Sequence, residues 1–278
     1  MYSGSTITKI SGNLIGAHQK IDKIARRQLD TLLPDNCFPD ISQILLFEGD
    51  RGPDSMKRKN PGPNEEWHFI RPFDKKDNKL IDLIDYHYQE LVKALKKYNN
   101  ERSAFEAAWL AHAIVDGLTP AHHYPYEQLL AELRQGEGKD TRSTIKKKLI
   151  MPGETSMNAL KNNWKMWGPK GLFTTHAAFE IGFATLIAPL GFYNLDPTTY
   201  ISSLTKQKLD TWFRNMAQHV DKMNIYNRFY KTGWTLKLSN QARKELAPIL
   251  INSVTAVWYS AYAEAMQINK KSLSLFKN

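Results

Sequence analysis

An all-α fold around one core is what this sequence predicts, and three observations predict it. Apolar residues recur at helical rather than alternating spacing, as in Ile81, Ile84, Leu91 and Leu95, and again in Leu246, Ile249, Leu250, Val254 and Val257. Only three segments interrupt that pattern. None of them reads as a flexible linker between independent cores, so residues 1–278 read as one multi-helix domain with no internal repeat.

In chain order, the first helix is expected over 14–33 and a short second one over 40–47. The first interruption, 49–74, carries Gly52, Pro53, Pro61, Gly62, Pro63 and Pro72, which dictate a long irregular loop. Loops of that length often carry function. A helix over 79–98 follows from its apolar rows, and one over 101–118 stops where Gly117 and Pro120 end or bend it. A helix over 124–135 leads into the second interruption, 136–171, rich in Lys, Gly and Pro and holding Lys146, Lys147 and Lys148. It reads as an insertion across the surface, with one helix at 155–165 inside it. Helices over 174–188, 198–230 and 239–268 complete the bundle, with the short connection Gly191 to Pro197 between the first two.

Composition narrows the function classes. With 278 residues and 42% apolar content the chain can bury a substantial core, which excludes a disordered tail protein. The 38 basic and 28 acidic residues give a net charge of +10. That favours anionic partners, whether phosphate esters, nucleic acid or an acidic membrane surface with peripheral contact, and does not choose among them. The single Cys37 forms no internal disulfide, so the fold must stand on its core and on any bound metal. The N-terminal residues lack a basic stretch followed by an apolar run of roughly 7–15 residues, and no apolar stretch is long enough for a transmembrane segment. A soluble, cytoplasmic protein is the expectation.

The chemistry concentrates in Ala111-His112-Ala113-Ile114-Val115-Asp116-Gly117-Leu118-Thr119-Pro120-Ala121-His122. On a helix His112 and Asp116 stand four residues apart and project from one face, so both can reach a common metal. Gly117 and Pro120 let His122 turn toward a neighbouring ion. His176 and Glu180 repeat the same spacing. Imidazole nitrogen with carboxylate oxygen suits zinc and suits calcium or magnesium poorly. Against this stands the plainer reading, a hydrogen-bonded core histidine and a solvated pair at i, i+4.

His112-xxx-Asp116-xxxxx-His122 followed by His176-xxx-Glu180 resembles the ligand pattern of the bacterial zinc-dependent phospholipase C family, an arrangement shared by the fungal and plant S1/P1 nucleases. Upstream, Gly16-Ala17-His18-Gln19-Lys20-Ile21-Asp22 is similar to the family's early helix with its single ligand His. Asp54 and His68 fall in the Pro-rich loop in the family's order, and Val254-Thr255-Ala256 before Trp258 resembles its closing helix. Five of the eight histidines thus fall on ligand positions.

The resemblance implies a metal cluster in a cleft. One zinc takes Asp54, His68, His112 and Asp116, and a second takes His122, His176 and Glu180. A third would use His18 and share Asp116 as a bridge. Secreted members also use the amine of a processed N-terminal Trp there, whereas this chain begins Met1-Tyr2, so two zincs are expected. The family is mostly secreted, in tension with the missing signal. Asp54 is implied as general base for a metal-activated water attacking an anionic phosphodiester. Glu180 resembles the phospholipase branch, where the nucleases place Asp, so a phospholipid headgroup is the first substrate. Ser55 after Asp54 withholds choline specificity. Single-strand nuclease activity, or a non-catalytic zinc-binding role, are the alternatives.

Three further readings concern neighbours. Trp67 and Phe69 flank His68 as stacking surface or as packing, and His123 is set aside in favour of His122 by the family spacing. His87 and His219 are expected at the surface or as caps.

Overall fold

The computed structural model describes residues 16–49, 51–55, 68–136 and 144–268, and among them no residue lies in a strand. The all-α expectation therefore holds for the described chain. Helix α1 (Ala17–Asp30) buries His18, Ile21, Asp22, Ala25 and Leu29 on one face. α2 (Ile41–Glu48) is capped by Asp40, whose carboxylate accepts from the Ser42 N–H at 2.8 Å. α3 (Lys79–Lys96) and α4 (Asn100–Gly117) form a helical hairpin, and the Asn99 side chain caps α4 by accepting from the Arg102 N–H. Ala104, Ala107, Ala108 and Ala111 of α4 are fully buried, small enough for α1, α2 and α3 to close around it.

A 3₁₀ turn, Pro120–His123, follows α4, and α5 (Tyr126–Leu133) stands where a helix over 124–135 was expected. Pro120 supplies no N–H and starts the tighter turn, while the Thr119 hydroxyl donates to the Val115 carbonyl at 2.7 Å and seals the end of α4. α6 (Ile145–Leu149) and α7 (Ser156–Trp167) lie in the insertion, and α8 (Leu172–Ile187) follows it.

The expected helix over 198–230 is three helices: α9 (Thr198–Thr205), α10 (Leu209–Lys222) and α11 (Ile225–Thr232). The last break falls at Asn224, which takes the left-handed conformation at φ 55°, one that asparagine tolerates better than most residues. α12 (Leu236–Gln241) runs through a π-turn, Ala242–Leu246, into α13 (Ala247–Ala265). Pro248 explains the widened turn, since its ring cannot donate to, and crowds, the carbonyl one turn back.

α13 is buried on nearly all sides and forms the axis of the bundle. Its Trp258 indole donates to the Ala107 carbonyl of α4 at 3.0 Å. Gln28 fixes α1 against it, donating to the Asn252 side chain at 3.2 Å and accepting from the Thr255 hydroxyl at 2.7 Å. No helix among the described residues is long and apolar enough to cross a membrane.

Gly117, directly after Asp116, is packed under two side chains. A methyl group there would lie 2.4 Å from Phe213 Cζ and 2.7 Å from Leu80 Cδ2. Gly117→Ala is expected to cost about 1–3 kcal/mol by overpacking, measurable by urea unfolding. Unchanged stability would mean that both side chains yield freely.

Candidate metal centre

Four separate stretches of chain deliver titratable side chains to one buried place. α1 contributes His18, α4 contributes His112 and Asp116, the 3₁₀ turn contributes His122, and α8 contributes His176 and Glu180. The described ends of the 49–74 loop bring Asp54, within a helical turn at 53–55, and His68. All eight residues named from the sequence thus converge, and Glu48 at the end of α2 joins them.

Asp116 stands at the centre. Its Oδ1 lies 3.2 Å from His18 Nε2, and its Oδ2 lies 2.5 Å from His68 Nδ1, 3.2 Å from His112 Nε2 and 3.8 Å from His122 Nδ1. Burial alone would push its carboxyl upward, but the imidazoles of His122 and His112 outweigh it and hold the group well below the usual carboxylate range.

His18 and His112 stack face to face, ring centres 4.0 Å apart and planes 6° from parallel. Both turn Nε2 toward Asp116 and Nδ1 toward Glu48 Oε1, at 3.8 Å for His18 and 3.0 Å for His112. Glu48 is fully buried. An imidazole that gives its Nδ1–H to a carboxylate presents the Nε2 lone pair outward, the usual arrangement around a metal-ligating histidine. Burial works against a charge on His112, but Glu48 and Asp116 raise its pKa well above the ordinary value. A cation on the Nε2 side would compensate Asp116, while Glu48 keeps the Nδ1–H of His112.

The second group fits a cation by a simpler argument. His122 Nδ1 lies 2.6 Å from the His68 carbonyl oxygen, so that nitrogen is the one that carries hydrogen. Nε2 is then a lone pair, and it faces the Glu180 carboxylate at 2.9 Å. Desolvation lowers the His122 pKa to about 4, so the ring is neutral near pH 7. His176 Nε2 meets the same Glu180 oxygen at 3.0 Å. Lone pair against carboxylate is repulsive unless a cation lies between. The Ile70 N–H also donates to the His122 carbonyl at 3.1 Å, which ties the end of the loop to the turn.

Ligand atoms fall into three groups whose members lie within 4.8 Å of one another: Asp54 with His68 and His112, His122 with His176 and Glu180, and His18 with Glu48 and His112. Asp54, with its side chain 31% exposed, opens the cluster to solvent, and its Oδ1 is 3.9 Å from His112 Nε2. Burial opposes its charge, yet His112 and His68 keep its carboxyl below the usual range, so it is ionised and can accept a proton. A cleft of about 1210 Å³, lined among others by Asp82, Asp85, Arg214 and Glu264, contains none of these groups.

Two acidic residues escaped the sequence reading. Asp22 follows His18 at i+4, the spacing that singled out the other two pairs, and is 1% exposed. Burial and the Glu48 carboxylate push its pKa well above the ordinary value. Glu48 has no such spacing signal, because only the packing of α2 on α4 brings it to His112.

The other neighbours resolve as packing. Phe69 stacks on His122 at 5.0 Å and on Tyr126 at 5.3 Å; Trp67 lies outside the described residues. His123 turns away, its Nε2 donating to the Gly117 carbonyl at 2.9 Å and its Nδ1 lying 3.3 Å from Asp221. His219 is exposed, as expected. His87 is not: it is 3% exposed, and its Nδ1 lies 2.6 Å from Glu106. The apolar face of α3 carries it inward, and Glu106 of α4 satisfies it there.

No protein-family model matches the sequence, and no curated protein matches it. Among solved structures, the chain is similar to alpha-toxin of Clostridium perfringens from an avian strain, with a TM-score of 0.58 and 14% identity. The match covers 95% of this chain and 67% of that one. At such identity the likeness is one of fold.

Proposed function

We propose that this chain is a zinc-dependent phosphodiester hydrolase acting on a phospholipid headgroup, of the phospholipase C type. The observation that carries the reading is the convergence of five imidazoles with Asp54, Asp116 and Glu180 in the order that the sequence resemblance implies. The alpha-toxin-like fold agrees with it.

Asp54, His68, His112 and Asp116 would hold one ion, and His122, His176 and Glu180 a second. His18 and Asp116 supply ligands for a third. Zinc bound there would supply a Lewis acid for the phosphoryl oxygen and a water of lowered pKa. The chain's own residues do the rest. Glu48 fixes the tautomer of His112 and faces the Nδ1 edge of His18, and the His68 carbonyl fixes that of His122. Asp54, ionised and at the opening, is placed to take the proton of the attacking water.

Zinc-loaded protein should hydrolyse phosphatidylcholine in preference to single-stranded DNA. Asp54→Asn should lower turnover by about 10²–10⁴-fold, the usual worth of a general base, with a loss of bound zinc alongside. Steady-state hydrolysis beside elemental analysis measures both. Preference for DNA would move the reading to the nuclease branch. Bound zinc without turnover on any phosphodiester would leave a zinc-binding protein.

A further inference from the structure

The described part of the insertion is well anchored, yet one of its helices leaves a row of apolar side chains in solvent. Arg134, at the end of α5, donates to the Lys147 carbonyl at 2.6 Å, and Trp167 donates its indole to the Leu149 carbonyl at 2.7 Å. Asn163 of α7 brackets Met151, accepting from its N–H at 3.1 Å and donating to its carbonyl at 2.9 Å, while Asn162 donates to the Pro152 carbonyl. Met151 and Met166 are buried against Tyr126 and Leu130. Asn162 and Asn163 of α7 therefore face inward.

Three of its apolar residues face out. Met157, Leu160 and Trp164, at i, i+3 and i+7, are 60%, 64% and 68% exposed, and Leu149 and Ile150 of the same insertion are 50% and 51% exposed. Residues 144–171 also carry six lysines against the single acidic residue Glu154. Lys146, Lys147, Lys161 and Lys165 among them are exposed. α7 packs on α8, the helix that holds His176 and Glu180. An exposed apolar row with a tryptophan, ringed by lysines, is costly in water and matched to one environment, the boundary between headgroups and acyl chains of an anionic bilayer.

We infer that the outer face of the insertion docks this protein on anionic phospholipid surfaces, with Met157, Leu160 and Trp164 entering the interface and the lysines meeting lipid phosphates. The choice of lipid as occupant rests on the proposed phospholipid reading, but docking itself requires no turnover. A second arm on a soluble substrate keeps the two apart.

The test is vesicle sedimentation of the zinc-loaded full chain with phosphatidylcholine alone and with added phosphatidylglycerol. Wild-type protein should partition more strongly onto the anionic vesicles, and less so as salt is raised. The double variant L160N/W164N changes only exposed side chains, so its fold should survive. Its partition should fall by about tenfold or more, with hydrolysis of a water-soluble phosphodiester unchanged. Equal partition of variant and wild type, or no preference for anionic vesicles, overturns the proposal. So does a variant that loses single-stranded DNA binding while sedimenting normally with vesicles. Vesicle binding without hydrolysis of any substrate would sustain this surface and sink the enzymatic reading instead.

Discussion

Stripping zinc from the loaded protein with a chelator is expected to abolish phosphodiester hydrolysis and to lower the melting temperature by roughly 15–30 °C. The size follows from linkage: an ion present at about 1,000 times its Kd stabilises the folded state by about 4 kcal/mol, so two contribute about 8 kcal/mol. A domain of this size moves about 2–4 °C per kcal/mol. Structure supplies the reason for so large an effect. Without a cation, Asp54, Asp116, Glu180 and Glu48 face five imidazoles in a space mostly closed to water, and the charges there lack full compensation. Calorimetry with and without chelator, and again after zinc is restored, measures it. A melting temperature indifferent to chelation would remove the metal from the account of the fold.

Asp116→Asn should be the most damaging single substitution at the cluster. Its two oxygens meet His18, His68 and His112 within 3.2 Å, so the loss of one charge touches every ligand group that includes those rings. Zinc content should fall by at least one ion per chain. Affinity for the remainder should fall beyond the roughly 10–100-fold typical of outer-shell changes. Glu48→Gln, which touches the same imidazoles from their Nδ1 edges, should stay within that range and keep the full number of ions at saturating zinc. Competition titration against a chromogenic chelator, with elemental analysis, separates the two variants. Loss of a whole ion in Glu48→Gln would make Glu48 a ligand rather than an orienting group.

Much of this arrangement is legible in the sequence because helical spacing is a local property. His112 with Asp116, and His176 with Glu180, sit on one face of a helix by periodicity alone, and Gly117 with Pro120 announces the turn that redirects His122. Asp22 was legible by the same rule and was passed over. Glu48 was not: it ends a short helix, and only the seating of α2 on α4 gives it a partner. His87 misled for a related reason. Its polar neighbours suggest a surface position, while Glu106, nineteen residues away on the facing helix, is what permits its burial. The fold was legible in outline, but Asn224 breaks one expected helix and Pro248 widens another through backbone geometry that apolar periodicity does not register.

The ligand contacts also close long stretches of chain on themselves. His68 to Asp116 spans 48 residues, His122 to Glu180 spans 58, and Glu48 to His112 spans 64. During synthesis from the N-terminus, α4 can collect its partners from α1, α2 and the loop as soon as it emerges, but His122 waits for α8. Nascent chain that ends short of residue 176 thus holds one part of the centre assembled and the other open, and the insertion between them is the last segment made before the ring of ligands can close.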